Sequence, residues 1–267
     1  MPTEQQRLAL RNRPPGLPVM KQRWAGLGFF HWEADPAMIA ARLPAGLHVD
    51  TFGGKAYLGI VPFFMERIRP VCLPPLPWLS WFHELNLRTY VHDDAGNPGV
   101  WFFSLDCNQP IAVEIARRAF HLPYEHAEMS SETQGRIIHY RSRRKASPLP
   151  AAGFTYPLPE NPQPAAPGTL EWFLVERYLL YSADAKGHLR TGRVHHSPYL
   201  IEPFATGSCS TTPYALNGFP EPRTPPVSQL AAAPVDVTIF PLRNHHGTGN
   251  NTEQSAFAPC HPGKNPP

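Results

Sequence analysis

Two stretches of this sequence set charged side chains among apolar ones at spacings that let them meet. From His83 onward, Glu84, Asn86, Arg88 and Tyr90 alternate with Leu85, Leu87, Thr89 and Val91, so a strand would carry the polar set on one face. In the following run, Phe102, Ser104 and Asp106 share a face opposite Trp101, Phe103 and Leu105. The polar turn DDAGNPG between the two runs predicts a hairpin. Glu84, Arg88 and Asp106 could then gather on one side of it. Such a cluster either lines a pocket with shifted proton affinities, or is a solvated outer face whose ion pair is worth ~0–1 kcal/mol. Spacing alone favours the solvated face, the ordinary case for an antiparallel sheet. A second group lies in RRAFHLPYEHAEM, where Tyr124 and Glu125 could act as an acid/base pair at the start of a strand. The plainer alternative is a rim aromatic and a solvated carboxylate. Glu176 and Arg177 open an aromatic segment, where an interior Arg–Glu contact is as good a reading as a catalytic one.

The familiar catalytic signatures are not completed. HELNL at His83 begins like a zinc-protease helix but has Leu87 at the second histidine position. HAE at His126 begins like a zinc deaminase, yet Pro259-Cys260 is followed by His261 and Pro262 rather than a second cysteine at the required spacing. There is no Gly-x-Ser-x-Gly elbow and no phosphate-loop glycine pattern. His195-His196 and His245-His246 are adjacent pairs, and neighbours on a strand point to opposite faces. Cys72, Cys107, Cys209 and Cys260 lack metal-knuckle spacing. Neither a metal nor a cofactor is expected.

Composition narrows the class further. Of 267 residues 42% are hydrophobic, enough for a core, which excludes wholesale disorder. The formal charge of +3 is too weak and too dispersed to argue for a nucleic-acid partner. The 34 prolines exclude long helices, and with them bundles, coiled coils and helical solenoids. No run reaches the ~18 apolar residues of a membrane span, and residues 1–20 lack the continuous apolar segment of a signal peptide. A soluble cytoplasmic protein without a membrane partner is the expectation, with a homo-oligomer left open.

The elements that must position these residues are short. Residues 1–20 read as a flexible arm, residues 21–243 as one α+β domain, and residues 244–267 as a disordered tail. Strands are predicted for Arg23–Trp32, Ala56–Ile68 (with Pro62 at a bulge or edge), the hairpin above, a second hairpin after Pro123, Leu189–His195 and Val235–Leu242. Helices are predicted after Asp35-Pro36, over Gln109–Phe120, and at the start of the segment from Thr169. The stretch 146–168 reads as a surface loop, and 197–226 turns to Pro, Ser, Thr and Gly and is left open. The aromatic, proline-rich loop 74–82 reads either as packed on the sheet or, if Trp78, Trp81 and Phe82 are exposed together, as a partner surface for an interaction scaffold.

Several stretches in order, VPFFMERIRP, ELNLRTYV with GVWFFSLD, ARRAFHLPYEHAEM, LEWFLVERYLLYSADAKGHLRTGRVHH and VDVTIFPL, resemble the YqjF-like family of uncharacterised bacterial proteins, a domain of unknown function. The resemblance runs from about Lys21 to Leu242. It implies the acetoacetate-decarboxylase-like fold: α+β, a curved, largely antiparallel β-barrel with a few short helices around a central apolar cavity. The decarboxylase forms a Schiff base on a lysine in a Phe-Pro-Lys-Lys context. Aligned on Pro123, those lysine positions are Tyr124 and Glu125 here, so the resemblance does not carry imine chemistry with it. It does imply that Glu84 corresponds to a pocket glutamate. The expectation is a protein that binds a small organic acid or another small molecule in that cavity, with Glu84, Arg88, Asp106 and Tyr124 as its polar lining. The rival is a non-imine enzyme using Tyr124 or Glu125 on a carbonyl or enol substrate.

Overall fold

Prolines and glycines cut this chain into short extended pieces that stay together by pairing edge to edge. A computed structural model describes residues 1–205 and 207–245. The first half holds α1 (Glu4–Ala9), β1 (Met20–Ala25), β2 (Leu27–Ala34), α2 (Pro36–Ala40), β3 (Leu47–Val49), β4 (Ala56–Pro70), β5 (Phe82–Asp93), β6 (Pro98–Cys107) and α3 (Pro110–Phe120). It is followed by β7 (Tyr124–Gln134), β8 (Ile137–Arg144), β9 (Ala152–Pro157), β10 (Gln163–Pro164), α4 (Leu170–Val175), β11 (Leu179–Ala183) and β12 (Leu189–His195). The last elements are β13 (Leu200–Pro203), β14 (Ser208–Cys209), α5 (Thr212–Leu216), β15 (Ser228–Ala232), β16 (Val235–Ile239) and β17 (Arg243–Asn244).

The architecture is α+β, built on one curved, largely antiparallel sheet. Its pairings run β4–β5–β6–β11–β12–β16–β1 and return to β4. Among the described residues only β6–β11 and β6–β7 are parallel. One apolar cluster, including Phe63, Phe82, Leu105 and Val175, lies inside this circuit. A second, including Phe30, Leu85, Leu87, Tyr140 and Phe154, lies between its outer face and the layer of β8 and β9.

Local chemistry accounts for the ends of the helices. The Asp35 carboxylate accepts from the Ala37 amide ahead of Pro36 in the first turn of α2. The Gln109 side chain caps α3 in the same manner, and His121 closes it in the left-handed region at φ 50°.

The apolar run Arg23–Trp32 is not one strand but two, because Gly26 turns a corner at φ 54°. β4 consequently changes neighbour along its length, pairing with β2 up to Ile60 and with β1 from Phe64. Pro62 sits in the gap between these pairings, where its missing N–H leaves no ladder bond unmade. The Tyr156 hydroxyl donates to the Gly26 carbonyl at 2.8 Å and closes the corner.

Three expectations are corrected, and the region 197–226, left open by the sequence, is filled. Residues 1–20 do not form a free arm: α1 carries a capping box between Thr3 and Gln6, and Arg7 reaches Asp50 at 2.6 Å. The stretch 146–168 contains β9, which extends the second hairpin to a third strand. The region 197–226 contains β13, β14 and α5. Asn244, taken as the start of the tail, pairs with Arg190; the rest of that tail from residue 246 lies outside the described residues. Among the described residues, no helix is long and apolar enough to cross a membrane.

Candidate functional site

The inward faces of the circuit enclose a cavity of about 270 Å³. β5 supplies its polar stripe, because Glu84, Asn86 and Arg88 all alternate toward the inside. Their partners on β6 are Cys107, Leu105 and Phe102. The remaining wall is mostly aliphatic and aromatic, with Phe29, Val61, Phe63, Val100 and Val175 among the contributors. Gln22, Tyr199 and Arg177 add further polar atoms.

Asp106 does not belong to this stripe. Phe103 is an extra residue in β6: Leu87 pairs with Ser104 and Arg88 with Phe102. That bulge inverts the inside-outside alternation, so Leu105 turns inward and Asp106 faces the outer layer. There the Arg144 guanidinium donates to its carboxylate at 2.9 and 2.7 Å, with both side chains buried. Burial raises the Asp106 carboxyl, and Arg144 opposes the rise. Asp106 is a structural ion pair.

Tyr124 and Glu125 part company for the simpler reason that adjacent strand residues face opposite ways. The Tyr124 hydroxyl points inward and donates to Glu84 Oε2 at 2.6 Å. Glu125 turns outward to Arg117 at 3.1 Å and lines no part of the cavity. Glu84 is fully enclosed, and desolvation lifts its carboxyl to about 7 although Tyr124 and Asn86 stabilise the anion. Desolvation, then the neighbouring Glu84, raises the Tyr124 phenol well above its ordinary range.

Arg88 is the site's unbalanced charge. It is buried, and its Nη2 donates to the Leu174 carbonyl at 3.2 Å and to the Tyr90 hydroxyl at 3.4 Å. Its Nε has no partner, and among the described residues no carboxylate pairs with it. Tyr90 is held in turn by His31 Nε2 at 2.7 Å. Burial, and then Arg88 itself, depress the His31 imidazole well below its usual range, so it stays neutral. Gly59 makes room for that imidazole, since a Cβ there would lie 2.8 Å from His31 Cδ2.

Arg177, a second guanidinium in the lining, was read from the sequence as either an interior Arg–Glu contact or a catalytic group, and its carboxylate is not a glutamate. The partner is Asp50, at 2.8 Å. Arg7 from α1 occupies the same carboxylate at 2.6 and 2.7 Å. Burial works to raise Asp50, but Arg177 and Arg7 outweigh it and hold the carboxyl low. Burial likewise lowers Arg177 to about 10, while one of its nitrogens, Nη2, remains without a partner. Two guanidiniums, Arg7 and Arg177, thus share one carboxylate, and among the described residues Arg88 has none.

No lysine among the described residues lines the cavity; Lys21, Lys55, Lys145 and Lys186 are all exposed. The exposed-loop alternative is met in part. Trp78 is 63% and Trp81 42% exposed, whereas Phe82 is 7% exposed and packs inside.

Comparison with known proteins places this geometry. Residues 21–235 match the model of a family of uncharacterized conserved proteins, domain of unknown function 2071. The chain belongs to that family. It is 36% identical over 230 residues to the uncharacterized protein YqjF of Bacillus subtilis (strain 168), covering 86% of this chain and 94% of that one. Among solved structures, acetoacetate decarboxylase from Legionella pneumophila superposes with a TM-score of 0.61 at 14% identity, over 88% of this chain and 92% of that one. The enduracididine biosynthesis enzyme MppR, complexed with pyruvate, gives 0.55 at 12% identity, over 87% and 91%. At these identities the likeness establishes the fold, which is the acetoacetate-decarboxylase-like one.

Proposed function

We propose that this chain binds a small organic acid with an apolar body, its carboxylate taken up by Arg88. The carrying observation is a buried guanidinium in an apolar cavity, with an unpartnered Nε and, among the described residues, no carboxylate paired with it. A charge in that position is costly until an opposite one arrives with hydrogen-bonding geometry to match, and a carboxylate supplies both. Arg177 reinforces the attraction through its own free Nη2. That MppR was solved with pyruvate, a 2-oxo acid, makes such acids the first to try.

The test is thermal unfolding with a panel of 2-oxo acids and fatty acids. At a hundredfold excess over Kd, a true ligand adds about 2.7 kcal/mol of stability. Failure of every member to stabilise the protein would remove the reading.

A second reading has its own observation. Glu84 and Tyr124 form a 2.6 Å pair inside the cavity, with Glu84 poised near neutrality. Such a pair can pass a proton to or from a bound carbonyl or enol. It replaces the Tyr124/Glu125 pairing, because Glu125 lies outside. Turnover of a bound 2-oxo acid that survives in wild type and is lost in Tyr124→Phe and Glu84→Gln, with both variants folded, distinguishes catalysis from binding alone.

A further inference from the structure

The cavity opens toward the C-terminal end of β4, where Ile68, Pro70, Leu79, Ala112 and Ile115 form the rim. Around that rim the surface is unusually apolar. Val71, Leu73, Leu76, Trp78 and Trp81 are each more than 40% exposed, as are Ile111 and Ile115 on α3. They form one patch: Gln109, at the head of α3, donates to the Trp78 carbonyl at 2.9 Å, and Leu79 and Ile115 share the rim.

Cations border it. Lys21 lies directly across the strand pair from Arg69, and Arg67 is exposed two residues before Arg69. Among the described residues none of these three has an ion-pair partner, and the acids alongside them are taken. Glu66 is paired with Arg23, and Glu114 with Arg117 and Arg118.

We propose that this face docks on an anionic lipid surface, with Trp78 and Trp81 seated at the headgroup level and Lys21, Arg67 and Arg69 against lipid phosphates. Exposed tryptophans beside aliphatic side chains suit the boundary between headgroups and acyl chains. Unpaired cations next to them supply the attraction to negative headgroups. A second copy of the chain fits less well, since a two-fold contact would set the patch on itself with no free carboxylate to meet the three cations.

The placement of the cavity then gains a meaning that rests on the organic-acid reading above. Along β5 the order from the rim is Phe82, Glu84, Asn86, Arg88. Arg88 therefore lies about 20 Å in at ~3.3 Å per residue. An amphiphilic acid entering from a bilayer would pass inward carboxylate first and leave its aliphatic tail among the apolar wall residues and the rim.

The experiment is co-sedimentation of the full chain with phosphatidylcholine vesicles, with and without phosphatidylglycerol. Binding is expected only with the anionic lipid and should weaken at high salt. It should fall by about tenfold or more in the Trp78→Ser/Trp81→Ser variant and in the triple Lys21→Gln/Arg67→Gln/Arg69→Gln variant. The Arg88→Gln variant should sediment as wild type does, even where it no longer responds to any acid, so the two proposals fail separately. Undiminished sedimentation of the tryptophan variant overturns docking, as does indifference to lipid charge. Conversion of a wild-type dimer to a monomer by the tryptophan variant, read by light scattering, would assign the patch to self-association and equally overturn it.

Discussion

Glu84 and Arg88 share one strand face and one apolar chamber, yet burial acts on them differently. A carboxyl can escape its desolvation by holding a proton, and Glu84 does so up to about pH 7. Arginine has no such escape, so Arg88 keeps its charge and remains unmatched. Two outcomes follow at this scale. Arg88→Met should eliminate stabilisation by organic acids, while raising the stability of the ligand-free protein by about 1 kcal/mol, because an uncompensated buried charge is removed. Denaturant midpoints with and without ligand measure both. Glu84 has a folded-state pKa above its unfolded value of 4.5, so the native state holds the proton more tightly. Its contribution is fully present below pH 4.5 and is lost as pH rises toward 7. Relative to Glu84→Gln, wild type should lose about 3 kcal/mol across that window, at roughly 1.4 kcal/mol per unit. Asp106 gives the contrasting case: Asp106→Asn leaves Arg144 buried and unpaired, and should cost about 3 kcal/mol or more in urea unfolding without altering ligand response.

At the scale of elements, two small irregularities decide which side chains reach the cavity. The Gly26 corner divides one apolar run into β1 and β2, and a Cβ there would lie 2.4 Å from the Phe64 ring at a positive φ. Gly26→Ala should therefore destabilise the fold by about 2 kcal/mol or more, with partial recovery when Phe64→Leu is added. The Phe103 bulge does the same for β6 by reversing its alternation. Neither irregularity has a dependable signature in sequence, since a glycine among aromatics and a phenylalanine in an apolar run both look like ordinary strand. Period-two alternation set Glu84 and Arg88 on one face of unbroken β5, though it favoured a solvated face over the cavity wall they form, and it set Asp106 with them although Asp106 lies beyond the bulge. The hairpin, α2 and α3 were legible because turn and capping residues announce themselves locally. The partnership of Arg177 with Asp50 was not, because a separation of 127 positions along the chain carries no signal of it. The same holds for α1: its polar sequence reads as solvated, but Arg7 and Arg11 contact Asp50 and Glu176.

For the molecule as a whole, an aliphatic and aromatic chamber with charge at its inner end sets a calorimetric expectation. Titration of a binding acid at several temperatures should give a negative heat-capacity change, growing with the length of its apolar tail. A flat response would place the ligand outside the chamber. The walls of that chamber also fix when it can exist. β1 stands between β4 and β16, so the first strand of the circuit has its second neighbour near residue 239. During synthesis the nascent protein must hold β1 and β12 with open margins until β16 has left the ribosome. Translation products that stop before β16 should therefore be unable to close the chamber and be prone to cluster through those margins, so that synthesis through Ile239 is itself a condition for the proposed acid binding.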